Sequence, residues 1–178
     1  MTIEELEHCI REYGTDIYSF CAYLTGSRQE AEDLYQDTLL KAVECSKTIR
    51  TEQNPKGYLL TVAVRIWKNK KRKYAWRKRI ADGPAMTEAE ALQAADKMQQ
   101  SAEAQFLRRE EAEAVRAAVN RLPQRYRMIV LLYYMEDFSV AQIASVIRIP
   151  QGTVKSRLYY ARRILEKELE VVLNEKEC

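Results

Sequence analysis

The sequence predicts an all-α fold in two helical parts, and three observations lead to that prediction. Apolar residues recur at the three- and four-residue spacing of amphipathic helices along most of the 178-residue chain, and no strand-like alternation persists. The helix-capping pattern Ser/Thr-x-x-Glu/Gln occurs at Thr2, Ser27 and Ser139. Residues 81–102 are rich in Ala, Glu and Gln with few large apolar groups, which indicates a linker between two modules.

The first part, residues 1–80, is expected to contain three helices. The first helix ends before Gly26, because glycine commonly follows the last turn of a helix. The second begins at Ser27, and the third begins at Asn54-Pro55, since proline fits the first turn of a helix. The apolar side of the third helix consists of Tyr58, Leu59, Val62 and Ile66.

The second part, residues 103–178, contains a predicted helix-turn-helix at residues 139–160. A short helix after Ser139 is followed by a tight turn at Arg148-Ile149-Pro150 and by a longer helix. Successive residues of a helix are rotated by about 100°. If Val154 faces inward, the residues that face outward are Lys155, Ser156, Tyr159 and Arg163. A cation, a hydroxyl and an aromatic ring near a helix N-terminus suit phosphate and base-edge contacts in a DNA major groove. An ordinary solvated basic helix is the alternative.

The amino-acid composition argues against a membrane-spanning protein and against most common types of enzyme. No apolar run approaches the roughly 20 residues of a membrane-spanning helix, so no membrane insertion is expected. The only histidine is His8, the four cysteines form no Cys-x-x-Cys pair, and the five glycines are not clustered. A metal site, a catalytic triad and a phosphate-binding loop therefore lack candidates. We expect no catalytic residue, no metal and no cofactor, and a cytoplasmic protein with reduced cysteines.

Charge is distributed in blocks, although the net charge is only +3. Residues 1–50 hold 5 basic and 10 acidic residues, which gives −5. Nine Lys or Arg and no acidic residue lie between Arg65 and Arg79, interleaved with Trp67, Tyr74 and Trp76. Cations follow a phosphate backbone and aromatic rings stack on exposed bases, so this stretch favours nucleic acid. A calmodulin-type helix and a membrane-surface helix are the alternatives.

Ordered motifs in both parts resemble the sigma-70 family of RNA polymerase sigma factors. The run Ala31-Glu32-Asp33-Leu34-Tyr35-Gln36-Asp37-Thr38 resembles region 2, and Asn54-Pro55-Lys56-Gly57-Tyr58-Leu59-Leu60 with the basic stretch resembles its later part. Two runs are similar to region 4, namely Leu122-Pro123-Gln124-Arg125-Tyr126-Arg127 and Gly152-Thr153-Val154-Lys155-Ser156-Arg157-Leu158. Without an acidic N-terminal extension or a domain between the modules, the chain resembles the compact extracytoplasmic-function (ECF) group.

The resemblance implies a specificity subunit that brings RNA polymerase core to promoter DNA, with an anti-sigma factor as inhibitor. It implies contact with the β flap, and contact with the clamp helices of the β′ subunit through Asp33, Leu34, Gln36 and Asp37. It assigns the −10 element to the basic helix through Arg65, Lys68, Asn69, Lys70, Lys71, Arg72, Lys73 and Trp76, with flipped bases near residues 47–56. It assigns the −35 element to Gln151, Thr153, Lys155, Ser156, Arg157, Tyr159 and Arg163.

Three residues depart from the family pattern. Arg148 stands where the turn usually carries glycine, so we expect a strained φ to be absent or the turn to differ slightly. Pro150 replaces the usual Ser/Thr cap, and Arg65 replaces a common Asn, which affects the −10 base preference.

Two other functions stay open: a stand-alone helix-turn-helix regulator that binds duplex DNA without polymerase, and, more remotely, an enzyme.

Overall fold

A computed structural model of the chain describes residues 2–45, 54–82 and 103–174. Within these residues the backbone is helical apart from the short connections between helices, and it contains no strand. The contacts divide the chain into two compact units, residues 1–91 and 92–178. The all-α prediction is therefore confirmed.

Unit 1, residues 1–91, begins with a capped helix. The Thr2 hydroxyl accepts a hydrogen bond from the backbone N–H of Glu5 at 3.1 Å, and the Glu5 carboxylate accepts one from the Thr2 N–H at 2.7 Å. This helix ends before Gly26, which adopts the left-handed conformation with a φ of 71°. The capping box and the glycine stop match the prediction. The described helices of unit 1 are α1 (Ile3–Thr25), α2 (Arg28–Cys45) and α3 (Pro55–Asp82).

The three helices of unit 1 each bury one side in a common core. The largest fully buried side chains there are Leu6, Ile17, Phe20, Leu24, Leu34, Leu59, Leu60 and Val64. The buried polar side chain in this core is Thr38, whose hydroxyl donates to the Leu34 carbonyl oxygen at 2.7 Å. The hydroxyl is therefore satisfied inside its own helix and does not weaken the core.

The start of α3 follows the predicted proline signal. The side-chain oxygen of Asn54 accepts a hydrogen bond from the Gly57 N–H at 2.8 Å, which satisfies one of the unpaired donors in the first turn. The helix continues to Asp82, two residues into the segment 81–102 expected to be a linker. The remainder of that segment lies outside the described residues, so the predicted module boundaries stay predictions.

Unit 2, residues 92–178, packs its helices around a second core. Within this core Leu122, Val130 and Ala161 are buried, and Val119, Tyr126, Ile164 and Leu165 pack against them. The helix that contains Val130 continues into a π-helical turn, Leu131–Met135, in which Leu131 and Leu132 remain buried. The described helices of unit 2 are α4 (Glu103–Arg121), α5 (Gln124–Val130), α6 (Val140–Ile147) and α7 (Gln151–Asn174).

Arg127 of α5 closes the C-terminal end of α4. Its guanidinium Nη2 donates to the carbonyl oxygen of Asn120 and, at 3.2 Å, to that of Leu122. Carbonyl groups at a helix end lack partners within the helix. Burial lowers the pKa of Arg127 from its ordinary value. The hydrogen bonds to a charged donor therefore fix the turn between α4 and α5.

The helix-turn-helix has a capped first helix and a left-handed turn. Ser139 and Gln142 complete the predicted capping box of α6 with hydrogen bonds of 3.2 and 2.8 Å. Arg148 follows α6 with a φ of 54° and a ψ of 59°. The strained conformation is therefore present, contrary to expectation, with an arginine where glycine is favoured. Pro150 starts α7 through its carbonyl oxygen, which accepts the Thr153 N–H at 3.0 Å.

Replacing Arg148 by glycine should raise the free energy of unfolding of unit 2 by about 0.5–1 kcal/mol. Removal of the Cβ relieves a left-handed cost of about 1–2 kcal/mol, and the greater freedom of glycine in the unfolded chain takes back part of that gain. Urea denaturation followed by circular dichroism measures the change.

Ala117→Gly is the matched control, because it places the same residue at an exposed helical position of α4. This substitution should lower the free energy of unfolding by about 1 kcal/mol. Destabilisation by both glycines would contradict the interpretation that the Arg148 backbone is strained.

Candidate polymerase-binding and DNA-binding surfaces

One side of α2 presents acidic, amide and apolar groups to solvent. Leu40 and Val43 are 64% and 48% exposed, which is unusual for large apolar side chains. Asp33 and Gln36 are also exposed, and Asp37 is half-buried beside them. Residues three and four apart share one side of a helix, so these five form a single surface, called the α2 face below. Its acidic charge opposes contact with phosphate, and its apolar groups suit a protein partner.

Leu34 does not belong to the α2 face. It is fully buried, together with Ala31, Thr38 and Ala42, on the opposite side of the helix. The prediction that Leu34 contacts a partner is therefore corrected: its side chain holds α2 in the core. Leu40 and Val43 were not among the predicted contact residues. Leu40 lies four residues after Gln36, so extending the polar stripe along the helix could have found it.

The basic helix α3 carries most of its cations on the surface. The exposed side chains among those predicted to contact the −10 element are Arg65, Lys68, Asn69, Lys70, Arg72, Lys73 and Trp76, and Lys71 is half-buried. Tyr74 and Trp76 are 66% and 63% exposed. Exposed aromatic rings beside cations are the combination that binds a separated nucleic-acid strand. The structure thus places the predicted residues on an accessible surface.

Trp67 differs from the other aromatic residues of α3. Only 3% of its surface is exposed, and the Lys71 ammonium lies 4.2 Å from the centroid of its ring. Its indole nitrogen is buried, and no described residue accepts a hydrogen bond from it. Trp67 therefore packs in the core of unit 1, whereas the rings of Tyr74 and Trp76 are accessible from solvent.

Two ion pairs connect α2 with α3. The Lys70 ammonium lies 2.6 Å from a carboxylate oxygen of Asp37, and the Lys71 ammonium lies 3.6 Å from one of Glu30. All four side chains are partly exposed, so each pair contributes only about 0–1 kcal/mol to stability. Two lysines predicted to contact DNA thus already contact carboxylates of the same unit.

The recognition helix α7 presents the predicted row of polar side chains. Val154 and Leu158 are buried, as the helical spacing predicted. The exposed side chains are Gln151, Lys155, Ser156, Tyr159 and Arg163, and Thr153 and Arg157 are half-buried. The Ser156 hydroxyl donates to the Gly152 carbonyl oxygen at 3.0 Å, which leaves its oxygen lone pairs available to accept a hydrogen bond.

A tyrosine of the π-helical turn and an arginine of α7 form a contact that was not among the predicted site residues. Arg162 donates from Nε to the hydroxyl oxygen of Tyr134 at 2.5 Å, and its guanidinium lies 5.6 Å from the centroid of that ring. Tyr134 comes from the π-helical turn and is 53% exposed. Arg162 is one helical repeat of seven residues after Lys155, so it extends the same side of α7. No local signal could reveal a contact between residues 28 positions apart.

The described segments contain no candidate metal centre, and two of their thiols are buried. No group of three or more His, Cys, Asp or Glu side chains there could hold a metal ion. Cys9 and Cys21 are buried free thiols, and burial raises the pKa of Cys21 to about 12. The thiolate is the reactive form of cysteine, so burial keeps Cys21 unreactive. Among the described helices, none is both long and apolar enough to cross a membrane.

Comparison with known proteins assigns the family. The family model for sigma-70 region 2 matches residues 9–77, and the family model for sigma-70 region 4 matches residues 112–165. The ECF RNA polymerase sigma factor EcfG of Rhodopseudomonas palustris is 30% identical over 153 residues, which cover 86% of this chain and 78% of EcfG. The chain belongs to the sigma-70 family, in its ECF group.

Other relatives agree with this assignment. The ECF sigma factor SigW of Bacillus subtilis is 25% identical over 161 residues, covering 88% of this chain and 84% of SigW. The sigma factor RpoE of Bartonella quintana, solved in complex with the anti-sigma factor NepR, superposes with a TM-score of 0.70 at 24% identity, covering 95% of this chain and 99% of RpoE. The family predicted from the motifs is confirmed, and the RpoE likeness supports the fold.

The two tryptophans of this ECF sigma factor should report on different environments. Trp76→Phe leaves only the buried Trp67, so the remaining emission should lie at shorter wavelength and resist acrylamide quenching. In the wild-type chain, single-stranded DNA should quench the emission of exposed Trp76 by stacking.

Titration of both proteins with a single-stranded oligonucleotide provides the measurement. DNA quenching that persists undiminished in the Trp76→Phe variant would show that Trp76 is not the residue that reports strand binding.

Proposed function

We propose that this sigma factor binds RNA polymerase core through the α2 face and directs it to promoters through two separate basic helices, α3 and α7. The observation that carries the proposal is that acidic and basic groups lie on separate helices of a chain that belongs to the sigma-70 family. The α2 face combines carboxylates with exposed Leu40 and Val43, whereas α3 and α7 present cations with aromatic rings. Each surface suits a different partner, and a specificity subunit needs all three.

The α2 face suits the β′ clamp helices of the core enzyme. Apolar side chains at the centre of an interface contribute most when polar groups surround them and exclude water. Leu40 and Val43 supply such apolar anchors, and Asp33, Gln36 and Asp37 supply the polar surroundings. The β flap would be a second contact of the core.

The exposed part of α3 suits the opened non-template strand at the −10 element. Arg72 and Lys73 supply cations for the phosphate backbone, and Trp76 supplies a ring on which an unpaired base can stack. Of the segment 47–56 expected to receive flipped bases, residues 47–53 lie outside the described part. The assignment of that segment stays a prediction.

The recognition helix α7 suits duplex DNA at the −35 element. Lys155 and Arg157 can donate to phosphate or to guanine, and Tyr159 offers an exposed ring for apolar contact. Tyr134 and Arg162 add a further cation and a hydroxyl on the Lys155 side of the helix. We therefore include these two residues in the proposed −35 surface.

Membership of the family supports a proposal for the regulation and location of the protein. RpoE of Bartonella quintana was solved with an anti-sigma factor, and we propose a partner of that class for this chain. A protein that works with RNA polymerase on promoter DNA acts in the cytoplasm. The role is that of a specificity subunit, and the chemistry belongs to the polymerase active site, so the sigma factor itself is not an enzyme.

Run-off transcription with purified core polymerase tests the proposal. Adding the protein should produce a promoter-dependent transcript that core polymerase alone does not make. The competing function, a stand-alone helix-turn-helix regulator, predicts tight duplex binding without core and no stimulated transcript with it.

The double substitution Leu40→Ala with Val43→Ala should weaken binding to core polymerase about tenfold or more. Truncating buried apolar anchors of an interface costs more than about 1 kcal/mol each. Titration with labelled core measures the affinity, and duplex −35 binding by the same variant should be unchanged.

Val115→Ala serves as the matched control, because Val115 is an exposed apolar residue of α4 outside the α2 face. It should leave the affinity for core unchanged. Equal losses in the two variants would exclude the α2 face as the docking surface.

Lys155→Ala should weaken binding to duplex −35 DNA by about 1–3 kcal/mol if the ammonium contacts a base, and should also reduce the salt dependence of binding. Core binding should be unaffected, since α7 and α2 lie in different units. Fluorescence anisotropy at several salt concentrations measures both quantities.

Lys167→Ala removes the same charge from an exposed position further along α7 and should change duplex affinity much less. An equal effect of the two substitutions would mean that α7 attracts DNA only through its overall charge.

A further inference from the structure

The Asp37–Lys70 ion pair joins the proposed polymerase surface to the proposed DNA surface. Asp37 belongs to the α2 face, and Lys70 belongs to the basic stretch of α3. Their carboxylate oxygen and ammonium lie 2.6 Å apart. The side chains are 44% and 42% exposed, so a partner on either surface can reach its own member of the pair.

An ammonium paired in this way attracts phosphate less than an unpaired one does. The adjacent carboxylate cancels most of its field and repels an approaching phosphate at the same short distance. Arg72 and Lys73, two and three residues further along α3, have no ion-pair partner among the described residues. In the free protein Arg72 and Lys73 therefore attract phosphate more effectively than Lys70 does.

The neighbouring pair, Glu30–Lys71, has a different character. Its atoms lie 3.6 Å apart, and Lys71 is also held over the Trp67 ring at 4.2 Å. Glu30 lies seven residues before Asp37, at the first turn of α2 and away from Leu40 and Val43. Lys71 thus keeps its contact with the Trp67 ring if the Glu30 carboxylate is removed. For Lys70, the pair with Asp37 is the only contact described.

We propose that Asp37 is a shared residue that holds Lys70 in the free protein and releases it when polymerase engages the α2 face. The released ammonium then contacts a phosphate of the −10 strand. This inference rests on the function proposed above and adds a coupling to it. Because coupling between two sites is reciprocal, occupation of Lys70 by DNA strengthens polymerase binding to Asp37 by the same factor.

Single-stranded DNA binding by the isolated full chain tests the first half of this exchange. Asp37→Asn should tighten binding to an oligonucleotide about two- to fivefold, the range that corresponds to a surface ion pair. It should also steepen the logarithmic dependence of affinity on salt by about 0.7, the increment for one more phosphate contact on a single strand. Fluorescence anisotropy over a series of salt concentrations measures both.

Two further variants separate pairing from overall charge. Asp33→Asn removes the same charge from the same helix at an exposed position with no described ion pair, and it should have a smaller effect. Lys70→Ala should change affinity little in the wild-type background and should abolish the gain in the Asp37→Asn background. Equal gains from Asp33→Asn and Asp37→Asn would overturn the inference, as would an equal loss from Lys70→Ala in both backgrounds.

Lys73→Ala distinguishes failure of the coupling from failure of the proposed function. A loss of strand affinity in this variant, together with no gain in Asp37→Asn, would overturn the coupling and leave α3 as the DNA surface. No loss in either Lys73→Ala or the Lys70→Ala, Asp37→Asn double variant would overturn both the coupling and the assignment of α3 to DNA.

Discussion

The buried stripe of α2 is the constraint on which the surfaces of unit 1 depend. Its members recur every three or four residues and are all fully buried, namely Ala31, Leu34, Thr38 and Ala42. Rotating the helix would expose them and leave the Thr38 region of the core unfilled, so the orientation of α2 is fixed by packing. That orientation turns the α2 face to solvent and brings Glu30 and Asp37 within ion-pair distance of α3.

The same constraint distinguishes four neighbouring cations of α3. Lys70 and Lys71 meet the carboxylates that the buried stripe of α2 directs toward them, whereas Arg72 and Lys73 project from the next part of the helix. In the described part of the chain, packing of apolar groups thus determines that Lys70 and Lys71 are paired with carboxylates while Arg72 and Lys73 are not. Unit 2 follows a comparable rule, because burial of Val154 and Leu158 sets which side of α7 presents Lys155.

Local signals predicted most of the secondary structure. The capping boxes at Thr2 and Ser139 and the proline at position 55 mark helix starts because they act within one helical turn. Burial depth was less predictable: Leu34 lies inside although its motif suggested contact, and Trp67 lies inside although it stands among cations. Which side of a helix meets the core depends on residues distant in sequence. The contacts Lys70–Asp37 and Arg162–Tyr134 also depend on the packing of residues distant in sequence, so the local spacing of residues could not predict them.

The arrangement explains why the net charge of +3 indicates so little about DNA binding. Screening in physiological salt confines the effect of an exposed charge to about 8 Å. A carboxylate within ion-pair distance therefore governs an ammonium more than the remaining charges of the chain do. On α3 this local control acts at Lys70, the point where a protein partner can compete for the carboxylate. Under the coupling proposed above, a partner that binds the acidic side would add one ammonium, that of Lys70, to the cations already exposed on α3.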